Sequence, residues 1–136
     1  MAMRRCCRLF RDVACLLHAF NRTNYIAQNG MRTEDRTQDP PEPTTYDKDE
    51  ITISQFADEI YQKVWPGTVT LKDPKKGELD IVSGGGWRDL VIWNPYGDDK
   101  MGYKTFVCVE SVEGEPVPLK PGAAWDATVK LVARNT

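Results

Sequence analysis

One strand-like segment carries a carboxylate among apolar side chains. Residues 105–112 read TFVCVESV, and the alternation of side chains along a β-strand places Phe106, Cys108 and Glu110 on one face. If that face is covered, desolvation raises the pKa of the glutamate toward neutrality, and such a carboxyl can act as a general base or acid. The alternative is a face open to water that leaves Glu110 solvated. Because strands often have one wet face, the alternation by itself favours this alternative.

Two other polar features are better explained by turns than by binding sites. The glycines at 84–86 are followed by Trp87 and a further strand-like run, which predicts a flexible hairpin turn and not a phosphate-binding loop ahead of a helix. Asp98 and Asp99 stand together in a turn, where adjacent carboxylates are normally solvated. The chain has one histidine, which argues against most zinc sites. No metal and no cofactor are expected.

These side chains must be positioned by strands, because residues 51–136 alternate between strand patterns and turn signals. Asp73-Pro74-Lys75-Lys76-Gly77 separates two alternating runs, which predicts a hairpin. The continuous apolar run Leu90–Trp93 is typical of a strand covered on both faces. No window in this part favours a helix. Short strands at this spacing predict an all-β fold, an antiparallel β-sandwich. The predicted strands are Ile51–Ser54, Thr68–Leu71, Glu78–Val82, Leu90–Trp93, Thr105–Val112 and Trp125–Leu131.

Charge divides the chain into unequal parts. Residues 1–32 hold six basic residues and one acid, residues 33–60 hold two basic and nine acidic residues, and residues 61–136 hold ten of each. The formal net charge of −2 argues against nucleic-acid binding through the whole surface. No apolar stretch is long enough to cross a bilayer. So sharp a change in charge predicts that the first part of the chain is organised differently from the rest.

The amino-terminal part, residues 1–49, is expected to lack a fixed fold. Apolar residues from Leu9 to Phe20 recur at helical spacing within an arginine-rich segment, as in an organelle-targeting peptide, although a leader without selected structure fits equally. The three prolines in Asp39–Pro43 oppose a helix or an interior strand, so residues 33–50 are predicted to form an extended linker or an exposed loop. The folded part is then residues 50–136. A cytoplasmic location is expected, with an organelle as the alternative.

Several motifs in the folded part resemble one enzyme family, the glucose-6-phosphate 1-epimerases (hexose-6-phosphate mutarotases), which are related to the aldose 1-epimerases. The similarity is closest to the plant-type sequences and runs from about Glu50 to the end of the chain. The matching motifs are Asp89–Pro95 (DLVIWNP), Tyr103–Glu110 (YKTFVCVE), Leu119–Gly122 (LKPG) and Trp125.

The resemblance implies an isomerase of carbohydrate metabolism with a galactose-mutarotase-like β-supersandwich, of which this chain would hold a part. The reaction interconverts the α and β anomers of a hexose 6-phosphate. By motif position Glu110 is the general base that takes the C1 hydroxyl proton. Trp93 and Tyr96 are candidates for lining the sugar pocket, and Lys104 is a candidate for approaching the phosphate. Arg88 is a further cation in the matched part, although a solvated or salt-bridged surface role is expected of Lys104 and Arg88 alike.

The chain departs from the family in its amino-terminal half. The family's acid histidine and phosphate-binding arginines have no match here, so the resemblance does not assign those roles to His18 or to Arg4, Arg5 and Arg8. We therefore expect a truncated epimerase homologue with impaired or no activity by itself. The alternative is a non-catalytic β-module that binds carbohydrate or another protein. Sheet edges left open by the missing part predict self-association.

Overall fold

The computed structural model describes residues 17–18, 24–26, 30–48, 50–73 and 77–134, with the backbone alone for the first two ranges. The described residues contain strands, turns and bends but no helix, and none of them forms a membrane-spanning helix. The strands are β1 Leu17–His18, β2 Asn24–Ile26, β3 Met31–Asp35, β4 Glu42–Tyr46, β5 Glu50–Thr52, β6 Ala57–Tyr61, β7 Gly67–Asp73, β8 Gly77–Gly85, β9 Asp89–Asn94, β10 Phe106–Val112 and β11 Ala127–Arg134.

The strands form two antiparallel sheets. One has the order β1-β10-β9-β6-β3-β4, and the other has the order β11-β8-β7-β2-β5. Their apolar faces contribute to one core, which confirms the all-β, antiparallel sandwich predicted from the sequence. The buried core residues are Ile51, Tyr61, Trp65, Val69, Leu71, Leu79, Ile81, Trp87, Leu90, Ile92, Val107 and Val109.

The period-two patterns place the strands largely as predicted. Strands β7 and β8 pair from Gly67 opposite Ser83 to Asp73 opposite Gly77, which confirms the predicted hairpin. Strand β9 lies between β10 and β6 and is buried along almost its whole length, as its continuous apolar run predicted. A buried hydrogen bond between the hydroxyls of Ser83 and Ser111, 2.6 Å apart, joins the two sheets through the core.

The structure corrects the expectation that residues 33–48 lack a fixed fold, because strands β3 and β4 lie there. Strand β3 pairs with β6 and with β4, and Arg36 forms an ion pair with Asp58 on β6. Pro43 is compatible with this arrangement because it lies on β4, the last described strand of its sheet, and proline is tolerated at such an edge. Thr33 of β3 is buried, so this region packs on the same sheet as the candidate site. A domain boundary near Glu50 stays a prediction.

The predicted amphipathic helix over Leu9–Phe20 lies mostly outside the described residues. Where its backbone is described, at residues 17–18, the chain forms the short strand β1 against β10. Strand β6 is a second difference, because residues 56–64 show no clear period in the sequence. Its residues Ile60 and Tyr61 are buried on opposite faces of the six-stranded sheet, which removes the alternation that would reveal it.

Candidate functional site

Glu110 is buried on the face of the six-stranded sheet that points away from the inter-sheet core. Val107 and Val109 of β10 belong to the core, and alternation sends Cys108 and Glu110 to the other face. Glu110 is 1% exposed and Cys108 is 2% exposed. The prediction from alternation that Glu110 is solvated is therefore wrong, because this outer face is itself covered along β10.

On the β9 side, the residue directly opposite Glu110 is apolar. Val91 of β9 lies directly opposite it in the register, and Val91 packs with Ile60 and Val112 in a small second cluster on the same face. An ionised carboxylate in such surroundings loses much of its hydration. Buried carboxyl groups of this kind are frequent at functional sites, so Glu110 is a candidate site residue.

Trp93 shares this face with Glu110. It pairs with Cys108 across β9 and β10, which makes it a diagonal neighbour of Glu110. Its ring packs against Phe106 with a centroid distance of 5.8 Å and edge-to-face against Phe56 at 6.5 Å. The half-buried indole thus forms one end of an aromatic surface beside the buried carboxylate.

Tyr96 and Lys104 lie in the loop between β9 and β10 rather than on the sheet. Tyr96 is 42% exposed, and its ring packs against the ring of Tyr103 with a centroid distance of 5.0 Å. Lys104 Nζ lies 3.0 Å from Asp99 Oδ1 and 5.0 Å from the centre of the Tyr103 ring. The hydrogen bond to Asp99 is the main cause of a pKa of Lys104 above its usual value. The loop brings an aromatic ring and a charged amine to the same end of the sheet as Trp93.

Asn94 fixes this loop, a role that sequence reasoning did not assign. Its side-chain amide donates hydrogen bonds to the carbonyls of Tyr103 (3.1 Å) and Phe106 (2.7 Å), and the side chain is buried. The signal was present in the sequence, since an asparagine followed by Pro95 at the end of a buried strand is a turn-forming pair. Asn94 therefore positions both ends of the loop that carries Tyr96 and Lys104.

Asp89 is a second buried polar residue whose role the sequence did not reveal. It is 2% exposed, and its carboxylate accepts hydrogen bonds from the backbone amides of Lys63 (2.9 Å) and Gly114 (3.2 Å). These contacts fasten the segments after β6 and β10 to the start of β9. A shallow cleft of about 200 Å³ opens here, lined by Glu34, Ile60, Gln62, Lys63, Arg88, Asp89, Gly114 and Glu115.

Arg88 stands at this cleft in ion pairs. Its guanidinium lies 3.4 Å from the Asp89 carboxylate and 3.1 Å from that of Glu113. The hydrogen bond to Asp89 is the largest cause of a raised pKa of Arg88, so the side chain stays charged. The salt-bridged surface role expected for Arg88 agrees with these contacts.

The backbone of the single histidine lies beside β10. His18 of β1 is in register with Phe106, four positions along the strand from Glu110. The arginines at positions 4, 5 and 8 lie outside the described residues.

Comparison with known proteins gives a sequence match to a plant protein. The chain is 31% identical over 96 residues to a Cenchrus ciliaris protein named "Putative glucose-6-phosphate 1-epimerase". The match covers 62% of this chain and 28% of the relative, so the chain spans less than a third of the relative's length. This confirms, for a partial chain, the resemblance that the sequence motifs indicated. No protein-family model and no solved structure matches the chain.

Proposed function

We propose that this chain is the part of a glucose-6-phosphate 1-epimerase homologue that carries the general base, Glu110. Three observations support the proposal: the Cenchrus ciliaris relative, the order of the motifs around Trp93 and Glu110, and the burial of Glu110. The burial carries most weight, because a carboxyl group that is only 1% exposed on a strand is uncommon in proteins and is often found at functional sites.

In the proposed reaction Glu110 takes the proton from the C1 hydroxyl of a hexose 6-phosphate. As the new carbonyl forms at C1, the bond from C1 to the ring oxygen breaks, and a general acid donates a proton to that oxygen. Rotation about the C1–C2 bond presents the other face of the aldehyde. The reverse steps then close the ring as the other anomer and return both protons to their donors.

The aromatic surface and the loop supply the proposed substrate contacts. Trp93, diagonal to Glu110, would stack on the apolar face of the sugar, and Tyr96 would border the same pocket. Lys104 would approach the phosphate after exchanging its exposed ion pair with Asp99, which costs little because solvent screens that pair.

Activity of the 136-residue chain by itself is expected to be low. The acid partner and the phosphate-binding arginines were not matched in the sequence, and the relative is more than three times as long as the matched region. General acid–base assistance is typically worth about 10²–10⁴ in rate for each group, so a chain without the acid loses most of the acceleration.

The test measures exchange between the glucose 6-phosphate anomers by NMR. It uses both this chain and a chain extended at its amino terminus by the corresponding part of the Cenchrus ciliaris relative. In the extended chain, Glu110→Gln is expected to remove most of the exchange while sugar-phosphate binding survives, because the amide is nearly isosteric but cannot take a proton. In the chain by itself the same substitution is expected to change little.

A matched control is Glu113→Gln, which removes a carboxylate on the same segment that faces Arg88 and not the apolar face. Its exchange rate should equal that of the parent. Exchange by the Glu110→Gln variant at the parent rate would refute the assignment of the base.

A non-catalytic carbohydrate-binding module is the second candidate, favoured by the aromatic rings that remain exposed. Phe56 is 47% exposed and Tyr96 is 42% exposed, and both lie at the Trp93 end of the sheet. Such a module would bind the hexose 6-phosphate with equal affinity in the parent and in Glu110→Gln, and the extended chain would show no anomer exchange above buffer.

A further inference from the structure

Strand β11 leaves one backbone edge free within the described part of the chain. It pairs with β8 along its whole length, from Ala127 opposite Gly85 to Arg134 opposite Glu78. It is the last strand of its sheet, and no described strand pairs with its other side. Strand β11 is among the longest of the described strands and contains neither proline nor glycine, so its backbone is able to pair with a further strand wherever its charged residues Lys130 and Arg134 are not placed against like charges.

The core-facing side of β11 extends beyond the cover of the opposite sheet. Leu131 is 56% exposed, although its register partner Ile81, one strand further in, is 3% exposed. Val129, on the same side, is half-buried against the core. Leu131 therefore lies on the core-facing side of β11 beyond the cover of the described part of the opposite sheet, and a further apolar surface beside it would remove it from water.

We propose that a second copy of this chain covers this edge, with the two β11 strands paired antiparallel across a twofold axis. An axis perpendicular to the sheet places core-facing residues of one strand opposite core-facing residues of the other. The side chains of Leu131 and Val129 from the two copies then form one continuous apolar surface. The same symmetry satisfies the free backbone groups of both strands at once.

The charged residues of β11 favour one register for the pairing of the two copies. An axis at Lys130 places the two lysines directly opposite each other, which is unfavourable. An axis at Val132 places Lys130 opposite Arg134, again with like charges. An axis at Leu131 avoids both contacts: Leu131 faces Leu131, and Val129 faces Ala133 of the second copy. This register overlaps residues 128–134 of each copy, more of β11 than an axis at Val129 would pair.

Ion pairs within each copy favour the same arrangement. The guanidinium of Arg134 lies 2.7 Å from Asp80 and 3.1 Å from Glu78 on the neighbouring strand β8. These contacts reduce its repulsion from the second copy. Because the surface is a single strand and its flanking apolar groups, association is expected to be reversible and dependent on concentration.

The experiment measures the mass of the full chain in solution by sedimentation over a range of concentrations. The parent chain should pass from monomer to dimer. Leu131→Lys and Leu131→Glu should each remain monomeric, because each places two like charges on the axis. The matched control is Leu119→Lys, which changes a leucine of similar exposure (53%) that lies outside the strands, and it should dimerise like the parent.

Mixing the two Leu131 variants provides the decisive measurement. With Leu131 on the axis, lysine faces glutamate and a mixed dimer should form, whereas neither variant dimerises separately. Circular dichroism of each variant should match the parent, because the position is exposed. A parent that stays monomeric, a dimer that persists in Leu131→Lys, or a mixture that remains monomeric would each overturn the proposal.

Discussion

Strands β10 and β11 follow similar alternating sequence patterns, but β10 is a buried interior strand and β11 is an exposed strand at the end of its sheet. β10 lies between β1 and β9 and is buried from Val107 to Val112, on both faces. β11 lies at the end of its sheet, with no residue fully buried. The difference in burial comes from the position of each strand in its sheet and not from the period of its sequence pattern.

This comparison separates two uses of a strand. In β10 both faces are covered, so the carboxyl group of Glu110 is buried and becomes the candidate for a functional role. In β11 the inner face is only partly covered, so Leu131 is left exposed and available for association. An alternating pattern therefore identifies the two faces of a strand, but the neighbouring strands decide which face is buried.

The largest expected effect is a loss of stability at the centre of the six-stranded sheet. Leu90 of β9 lies opposite Ser111 of β10 and is 2% exposed. Leu90→Ala removes buried methyl groups and leaves a cavity, which should lower the free energy of unfolding by about 2–5 kcal/mol. Urea denaturation checks this as a lower midpoint with an unchanged slope. A loss as small as that of an exposed leucine would contradict the description of this centre.

The junction between β8 and β11 should also be sensitive, because it is close-packed. A Cβ at Gly86 would lie 2.2 Å from the indole of Trp125, whereas one at Gly84 would meet nothing closer than 3.8 Å. Gly86→Ala must displace the indole and should cost about 1–3 kcal/mol, with Gly84→Ala as the milder control. Thermal melts of the two variants compare them directly. Equal melting temperatures would show that Trp125 does not hold this junction.

The hydroxyl pair between the sheets should show strong coupling. Ser111→Ala leaves the buried hydroxyl of Ser83 without its partner, which should cost about 1–3 kcal/mol. Replacing both serines by alanine removes the unsatisfied group, so the double variant should be more stable than the two single losses predict. A double-mutant cycle from denaturation curves measures this coupling. Additive losses would indicate that the two hydroxyls act independently.

The smallest effect is expected at the open edge. Leu131→Ala makes the same chemical change as Leu90→Ala but at an exposed position. At concentrations where the chain is monomeric, its stability should change by about 0.5 kcal/mol or less. The same denaturation assay measures it. A loss comparable to that of Leu90→Ala would mean that β11 is covered in the monomer, and the contrast with the centre of the other sheet would fail.

The sequence predicted much of this fold because its strands obey simple patterns. The β7–β8 hairpin follows from two alternating runs around a proline–glycine turn, and β9 follows from a continuous apolar run. Strands β3 and β4 were missed because acidic residues and prolines resemble a linker when their neighbours are unknown. The glycines at 84–86 were interpreted as a flexible turn, whereas Gly84 and Gly85 lie within β8 and Gly86 leaves room for Trp125.

The candidate site also has features that the sequence determined and features that only the tertiary structure decided. The sequence by itself determined that Glu110 shares a strand face with Phe106 and Cys108, because side-chain alternation is a property of the backbone. Only the tertiary structure decided that this face is buried and that Trp93 lies diagonal to Glu110, since both depend on pairing between distant segments. The roles of Asp89 and Asn94 belong to the tertiary structure too, because their hydrogen-bond partners come from segments that folding brings together.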